Sequence, residues 1–208
     1  MAKTLISFIL IVIISSLSTT ILPSGYGRKT PDPPATKQES WFQNIDNGNE
    51  KTHILHFYIQ DLLAGEKKRV YEVARADITS NSTTSFGLVH VLDDLITAGP
   101  DYYSEPIGRA QGLITYADLE ESALAMNVNF VFTSGRFDSS TISVLGRNPT
   151  KNQQREVAVV GGTGVFRSAR GYAITSTYSY DSETEHGVLE YTLYLSYVGG
   201  SSMGVHAD

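Results

Sequence analysis

From residue 53 onward, apolar and polar residues alternate in short runs broken by glycine, asparagine and proline. The clearest run places Leu124, Met126, Val128, Phe130 and Phe132 on one face and Asn127, Asn129, Val131 and Thr133 on the other. Near the end, Leu189, Tyr191, Leu193, Leu195 and Tyr197 alternate with Glu190, Thr192, Tyr194 and Ser196. A repeat of two is that of a β-strand with one buried face. Further strands are predicted over 53–60, 70–77, 86–92, 108–116, 141–145, 156–160 and 172–178. Only residues 118–123 have local helical propensity, and they run straight into a strand. Many short strands with frequent turns point to an all-β sandwich or barrel. Periodicity alone does not choose between the two closures.

The first 52 residues read differently. Lys3 precedes an apolar run, Leu5 to Ile14, which Ser15, Ser16, Ser18, Thr19 and Thr20 then dilute. This is the pattern of a secretory signal, and the run is shorter than the roughly 20 residues of a spanning helix. A signal peptide over 1–25 is expected, leaving no membrane segment after cleavage. Residues 26–52, rich in proline, glycine and asparagine, read as a flexible extension interrupted by Trp41-Phe42. The folded domain is expected over 53–198, followed by a flexible tail over 199–208.

Composition narrows the chemistry. The chain has 208 residues, 41% of them hydrophobic, and a formal charge of −6 without a basic run. Nucleic-acid binding, which needs a basic face, is excluded. No cysteine is present, so disulfides, thiol catalysis and zinc–thiolate sites are excluded too. Asn81-Ser82-Thr83 is a glycosylation sequon in a Ser/Thr-rich loop, with Asn81 the acceptor. His53 and His56, three apart on a strand, face opposite ways and cannot share a metal. The Gly161-Gly162-Thr163-Gly164 stretch leads into another strand rather than a helix, so it does not cradle a pyrophosphate. No cofactor and no oxidising centre are expected.

Several segments then become recognisable in their order and spacing. They are Phe57-Tyr58-Ile59-Gln60-Asp61, Asp93-Asp94-Leu95-Ile96-Thr97-Ala98-Gly99-Pro100, Ile107-Gly108-Arg109-Ala110-Gln111-Gly112, Phe132-Thr133-Ser134-Gly135, and Val160-Gly161-Gly162-Thr163-Gly164 through Arg170-Gly171. Over residues 53–197 the chain resembles the plant dirigent family, within it the subgroup that includes pterocarpan synthases. The resemblance implies an eight-stranded antiparallel β-barrel like that of allene oxide cyclase. It also implies a homotrimer (a dimer is the alternative) secreted to the extracellular space of the cell wall, the apoplast. Family members bind phenolic intermediates, phenoxy radicals or quinone methides, and impose stereoselectivity on their coupling or cyclisation in lignan or isoflavonoid biosynthesis. The radicals come from a laccase or peroxidase partner. The pterocarpan synthases act as hydro-lyases that dehydrate an isoflavanol and close a ring. A passive barrel for small ligands is a third reading.

Carried onto this chain, the resemblance implies that Asp61 lines the pocket as general acid or as partner of a substrate hydroxyl; its alternative role is to accept backbone bonds at a turn. Arg170 falls on a pocket arginine and Tyr116 on a pocket tyrosine. Asp94 is a candidate second carboxyl, and since neighbours on a strand face opposite ways, only one of Asp93 and Asp94 can point inward. Lignan-forming members carry an aspartate where this chain has Val165, a tyrosine at Ile114, commonly a histidine at Gln60, and a cysteine pair. The chemistry is consistent with that site: a carboxyl in an apolar barrel has its pKa raised and can serve as an acid, while tyrosine and arginine hold a developing oxyanion.

Overall fold

The computed structural model describes residues 50–198. The proposed signal peptide, most of the extension with Trp41-Phe42, and the proposed tail lie outside them. Nine strands follow in chain order: β1 (Glu50–Leu62), β2 (Val70–Ala74), β3 (Val89–Thr97), β4 (Pro106–Tyr116), β5 (Ala123–Phe132), β6 (Thr141–Pro149), β7 (Arg155–Thr163), β8 (Arg170–Asp181) and β9 (His186–Val198). All pairings are antiparallel, in the order β1-β9-β8-β7-β6-β5-β4-β3, and β3 pairs back onto β1. Eight strands therefore close a barrel, which removes the open edges of a sheet. The short β2 adds to the same edge of β3 beyond the point where β1 leaves it. Tyr58, Ile59 and Gln60 pair with Thr97, Ile96 and Leu95, whereas Val70 and Tyr71 pair with Leu92 and Val91.

The alternation read from the sequence sets the inner face. Phe57, Ile59, Ile96, Ala110, Val128, Phe130, Ile142, Val144, Val157, Ala173, Leu193 and Leu195 are all buried. At mid-height Phe57, Phe130 and Tyr191 pack mutually, with ring centroids 5.1, 5.9 and 5.4 Å apart. The end formed by the start of β1 is filled by Phe132, Phe137, Phe166 and Tyr197, with Phe166 centroids 4.8 Å from Phe137 and 5.3 Å from Tyr197. The Phe57–Tyr191 pair is stacked and the Phe57–Phe130, Phe130–Tyr191 and Phe166–Tyr197 pairs are edge-to-face, arrangements that add to burial.

Two glycines explain the GRAQG segment. A Cβ at Gly108 would lie 2.3 Å from the Val131 carbonyl oxygen, and one at Gly112 would lie 2.1 Å from that of Asn127. Strands β4 and β5 approach so closely there that no side chain fits.

Strand limits differ from the sequence reading at several points. β1 begins at Glu50, inside the segment read as extension, because residues 50–52 pair with Ser196 to Val198. β3 runs on to Thr97 through Asp93-Asp94, residues that strands ordinarily disfavour; here Arg109 holds Asp93 on the outer face at 2.7 Å and Asp94 is buried. Residues 118–122 form no helix. Asp118 Oδ1 accepts the amides of Glu120 and Glu121 at 2.9 and 3.0 Å, and Arg147 bridges Asp118 and Glu121. The same amide contact would cap a helix, but β5 begins at Ala123, leaving too few residues for more than a turn.

Candidate functional site

The opposite end of the barrel is polar inside. It gathers the last residues of β1, β4, β6 and β8, the first residues of β5, β7 and β9, and the first half of β3. On β1, Asp61 follows Phe57 and Ile59 in phase, and on β3, Asp94 lies in phase with Leu92 and Ile96. The β1–β3 ladder ends at Gln60–Leu95, and its next step would set Asp61 against Asp94. The two strands part at that point, and Asp93 N–H instead donates to the Arg69 carbonyl at 3.1 Å. The neighbouring Gln60 is fixed on the outer side: its Nε2 donates to Thr97 Oγ1 at 2.9 Å and its Oε1 accepts from His186 Nε2 at 2.9 Å.

Burial pushes the Asp94 carboxyl up to about 8, and the charge of Asp61 adds to the rise. Burial also pushes Asp61 up to about 6. Two carboxyls in one low-dielectric space do not both ionise at neutral pH, so the pair retains a proton. Tyr116, half-buried at the end of β4, is raised by burial and then by the charge of Asp61. The structure thus brings Asp61, Asp94 and Tyr116 together.

Among the described residues, four buried side-chain atoms make no well-formed hydrogen bond: Asp94 Oδ1, Asn148 Oδ1, Arg155 Nε and Thr175 Oγ1. By strand phase all four lie on the inner face. Buried polar atoms are nearly always paired. The Thr175 hydroxyl lies close enough to the Tyr191 hydroxyl to hydrogen-bond it and lower its pKa, which leaves Asp94, Asn148 and Arg155 with an unpaired polar atom each. No group of three or more His, Cys, Asp or Glu among the described residues is arranged to hold a metal ion.

Residues 52–196 match the family model described as dirigent-like protein. The chain belongs to the dirigent family. Dirigent protein 21 of Arabidopsis thaliana is 44% identical over 144 residues, 69% of this chain and 76% of that protein. Pterocarpan synthase 1 of Glycine max is 41% identical over 147 residues, 70% of this chain and 78% of its own. A solved pterocarpan synthase dirigent protein superposes with a TM-score of 0.68 at 39% identity, covering 74% of this chain and 88% of that one.

Not every residue that the resemblance implied lies at the polar end of this dirigent barrel. Arg170 is exposed at the start of β8, at the opposite end, where it pairs with Glu50. It does not share a site with Asp61, from which nearly the whole length of β8 separates it, and lines instead a separate cleft with Thr52, Ile54, Tyr194 and Ser196. Val165 lies at that far end too, in a short 3-10 turn (Gly164–Phe166), with its amide donating to Ser140 Oγ at 3.0 Å. An aspartate missing there removes nothing from the polar end. Asn81 is exposed at the end of a 3-10 turn (Asp77–Asn81).

Three inner-face residues escaped the sequence reading. Arg155, at 5% exposure, donates from Nη1 to Thr177 Oγ1 at 3.1 Å and to the Thr150 carbonyl at 3.3 Å. Asn148 is buried near the end of β6. His90 on β3 packs its ring edge-on against Tyr116 with centroids 5.9 Å apart, and burial lowers its pKa. The signal for Arg155 was available: it precedes Val157 and Val159 in strict alternation, which sets a cation on the buried face.

Proposed function

We propose that this dirigent protein binds a phenolic intermediate, a phenoxy radical or quinone methide, in the polar end of its barrel and steers its coupling or cyclisation to one stereoisomer. The observation that carries this reading is the set of unpaired inner-face polar atoms, Asp94 Oδ1, Asn148 Oδ1 and Arg155 Nε, at the end of the barrel that also holds Asp61. Fixed donors and acceptors on rigid strands select one orientation of a hydroxylated arene, and orientation is what stereocontrol requires once the reactive species exists. Asp61, Asp94, Tyr116, Arg155 and Asn148 are assigned to the pocket, and Arg170 is not.

Two routes use this site. In the first, a laccase or peroxidase removes one electron and one proton from each of two phenols, and the barrel orients the radicals as they form a bond. In the second, the protonated carboxyl of the Asp61–Asp94 pair donates to the carbinol oxygen of an isoflavanol. The C–O bond breaks and water leaves. The phenol conjugated to that carbon loses its proton to a base at the mouth, for which neutral His90 is the candidate, giving a quinone methide. A second phenolic oxygen attacks the exocyclic carbon while protonated His90 returns its proton to the first phenol's oxygen, and the attacking oxygen's proton returns the carboxyl to its starting state. The net change is loss of water with no redox step. The retained proton on the carboxyl pair favours this second route, as does the 41% identity to a protein named a pterocarpan synthase.

Secretion through the N-terminal signal, glycosylation of Asn81 and assembly as a homotrimer complete the proposal. Chiral chromatography of products from candidate phenols and isoflavanols, each with and without laccase, tests it. A single-handed product without oxidant supports the lyase route. Enantiomeric excess that appears only with laccase supports the guide. Binding without effect on either product would reduce the barrel to a carrier. Asp61→Asn is expected to abolish product control while leaving the fold intact, and unchanged enantioselectivity would remove Asp61 from the mechanism.

A further inference from the structure

Strand β8 carries a bulge between Thr177 and Ser179. Upstream of it, Ala173, Thr175 and Thr177 face inward opposite Leu193, Tyr191 and Leu189. Downstream, the phase is reversed. Tyr180 comes opposite Gly187, which in turn lies opposite Asp61 on β1. Unbroken alternation would have set Ser179 on the inner side and turned Tyr180 outward. Re-aiming a side chain is a recurrent use of a bulge near a functional site.

Gly187 is buried, yet its backbone does not call for glycine. A Cβ there would lie 3.6 Å from Asp61 Oδ2 and 3.7 Å from Tyr180 Cδ2, both ordinary van der Waals distances. The contrast with Gly112, whose Cβ would strike a carbonyl, is complete. At Gly187 the absent side chain leaves room for a methyl group between the Asp61 carboxyl and the Tyr180 ring. Tyr180 is 55% exposed, so its ring does not fill core, and its Cδ2 edge borders the Gly187 position. A hydroxylated ring laid against the face of Tyr180 beside Gly187 would turn its hydroxyl toward Asp61.

We propose that Tyr180 and Gly187 form an arene-binding slot that decides which phenolic ring is presented to Asp61. The inference rests on the phenolic function argued above and adds the residues that set specificity within it. Tyr180 binds and orients, and it takes no part in proton transfer.

Calorimetry with two non-turnover probes tests the slot: 2′-hydroxyisoflavan, which lacks the leaving hydroxyl, and coniferyl alcohol without oxidant. Tyr180→Ala is expected to weaken binding roughly two- to tenfold, the range of a lost aromatic contact, while Tyr180→Phe retains affinity. Gly187→Leu blocks the approach to Tyr180 and is expected to weaken binding at least as much; Gly187→Val, smaller but still larger than the methyl that fits, serves if the larger variant does not fold. In turnover, Tyr180→Ala is expected to raise KM and erode enantioselectivity without moving the pH profile set by the carboxyl pair. Wild-type binding matched by unchanged affinity in Tyr180→Ala and in the folded Gly187 variants would overturn the slot and leave the phenolic function standing. Failure of the wild type to bind either probe would overturn that function and the slot with it.

Discussion

Asp94 is the most costly residue of the site. It is buried with one oxygen unpaired among the described residues, and its pKa rises from 3.8 to about 8. Between those values the folded chain holds a proton that the unfolded chain has released. The contribution is therefore fully present below about pH 4 and is lost as pH rises through about 8. Asp118 acts in the opposite direction: Arg147 holds it down to about 2, so its contribution is lost as pH falls below its ordinary value of 3.8. Stability is expected to peak in mildly acidic solution. Asp94→Asn, which cannot ionise, is expected to raise the melting temperature by roughly several degrees at pH 8 relative to the change it makes at about pH 4. A thermal scan of both proteins at the two pH values checks this; an equal shift at both would show that Asp94 is not protonated in the fold. At this scale the sequence was partly legible. Alternation correctly left only one of Asp93 and Asp94 facing inward, but no residue pattern says that Asp61 and Asp94 meet, because that depends on where β1 leaves β3.

Among the elements, the long strands β5 and β9 were readable because one face packs into the core, all of it buried in β5 and all but Leu189 in β9, with an unbroken period of two. β3 was cut short in the sequence reading by its two aspartates, and the bulge in β8 hid Tyr180, since a single extra residue inverts every later position. The glycines divide into two kinds that look alike in sequence. A Cβ at Gly112 meets backbone at 2.1 Å, whereas one at Gly146 meets Val157 at 3.5 Å. Gly112→Ala is expected to destabilise the fold by about 3 kcal/mol, the upper range for forced overpacking. Gly146→Ala is expected to cost less than about 1 kcal/mol, because ordinary contact needs no backbone shift. Urea unfolding of the two variants compares them directly, and equal losses would contradict the close approach of β4 to β5.

For the whole molecule, closure settled what periodicity left open, a barrel and not a sandwich, and it also settled which motifs share an end. The GGTG and Arg170 segments carry the family resemblance, yet they stand at the filled end, as far from Asp61 as the strands allow. Neighbours in a motif need not be neighbours in function when a strand spans the barrel. The outer surface bears on assembly. Along the hydrogen-bonding direction, Tyr71, Val91, Leu113, Asn127 and Leu145 lie side by side across β2 to β6. Four of these five are apolar or aromatic and between 38% and 52% exposed. A contiguous row of this kind is rare on a surface that meets only water. A second and third copy of the chain would cover it, consistent with the proposed homotrimer, provided that the buried area reaches the roughly 1,000 Å² of a stable interface. Sedimentation is expected to give a multiple of the chain mass. Leu113→Glu with Leu145→Glu is expected to lower it to a single chain while circular dichroism stays that of the barrel, because both side chains point away from the core. A wild-type chain that sediments as a monomer, or a double variant that still assembles, would place the interface elsewhere or dispense with it.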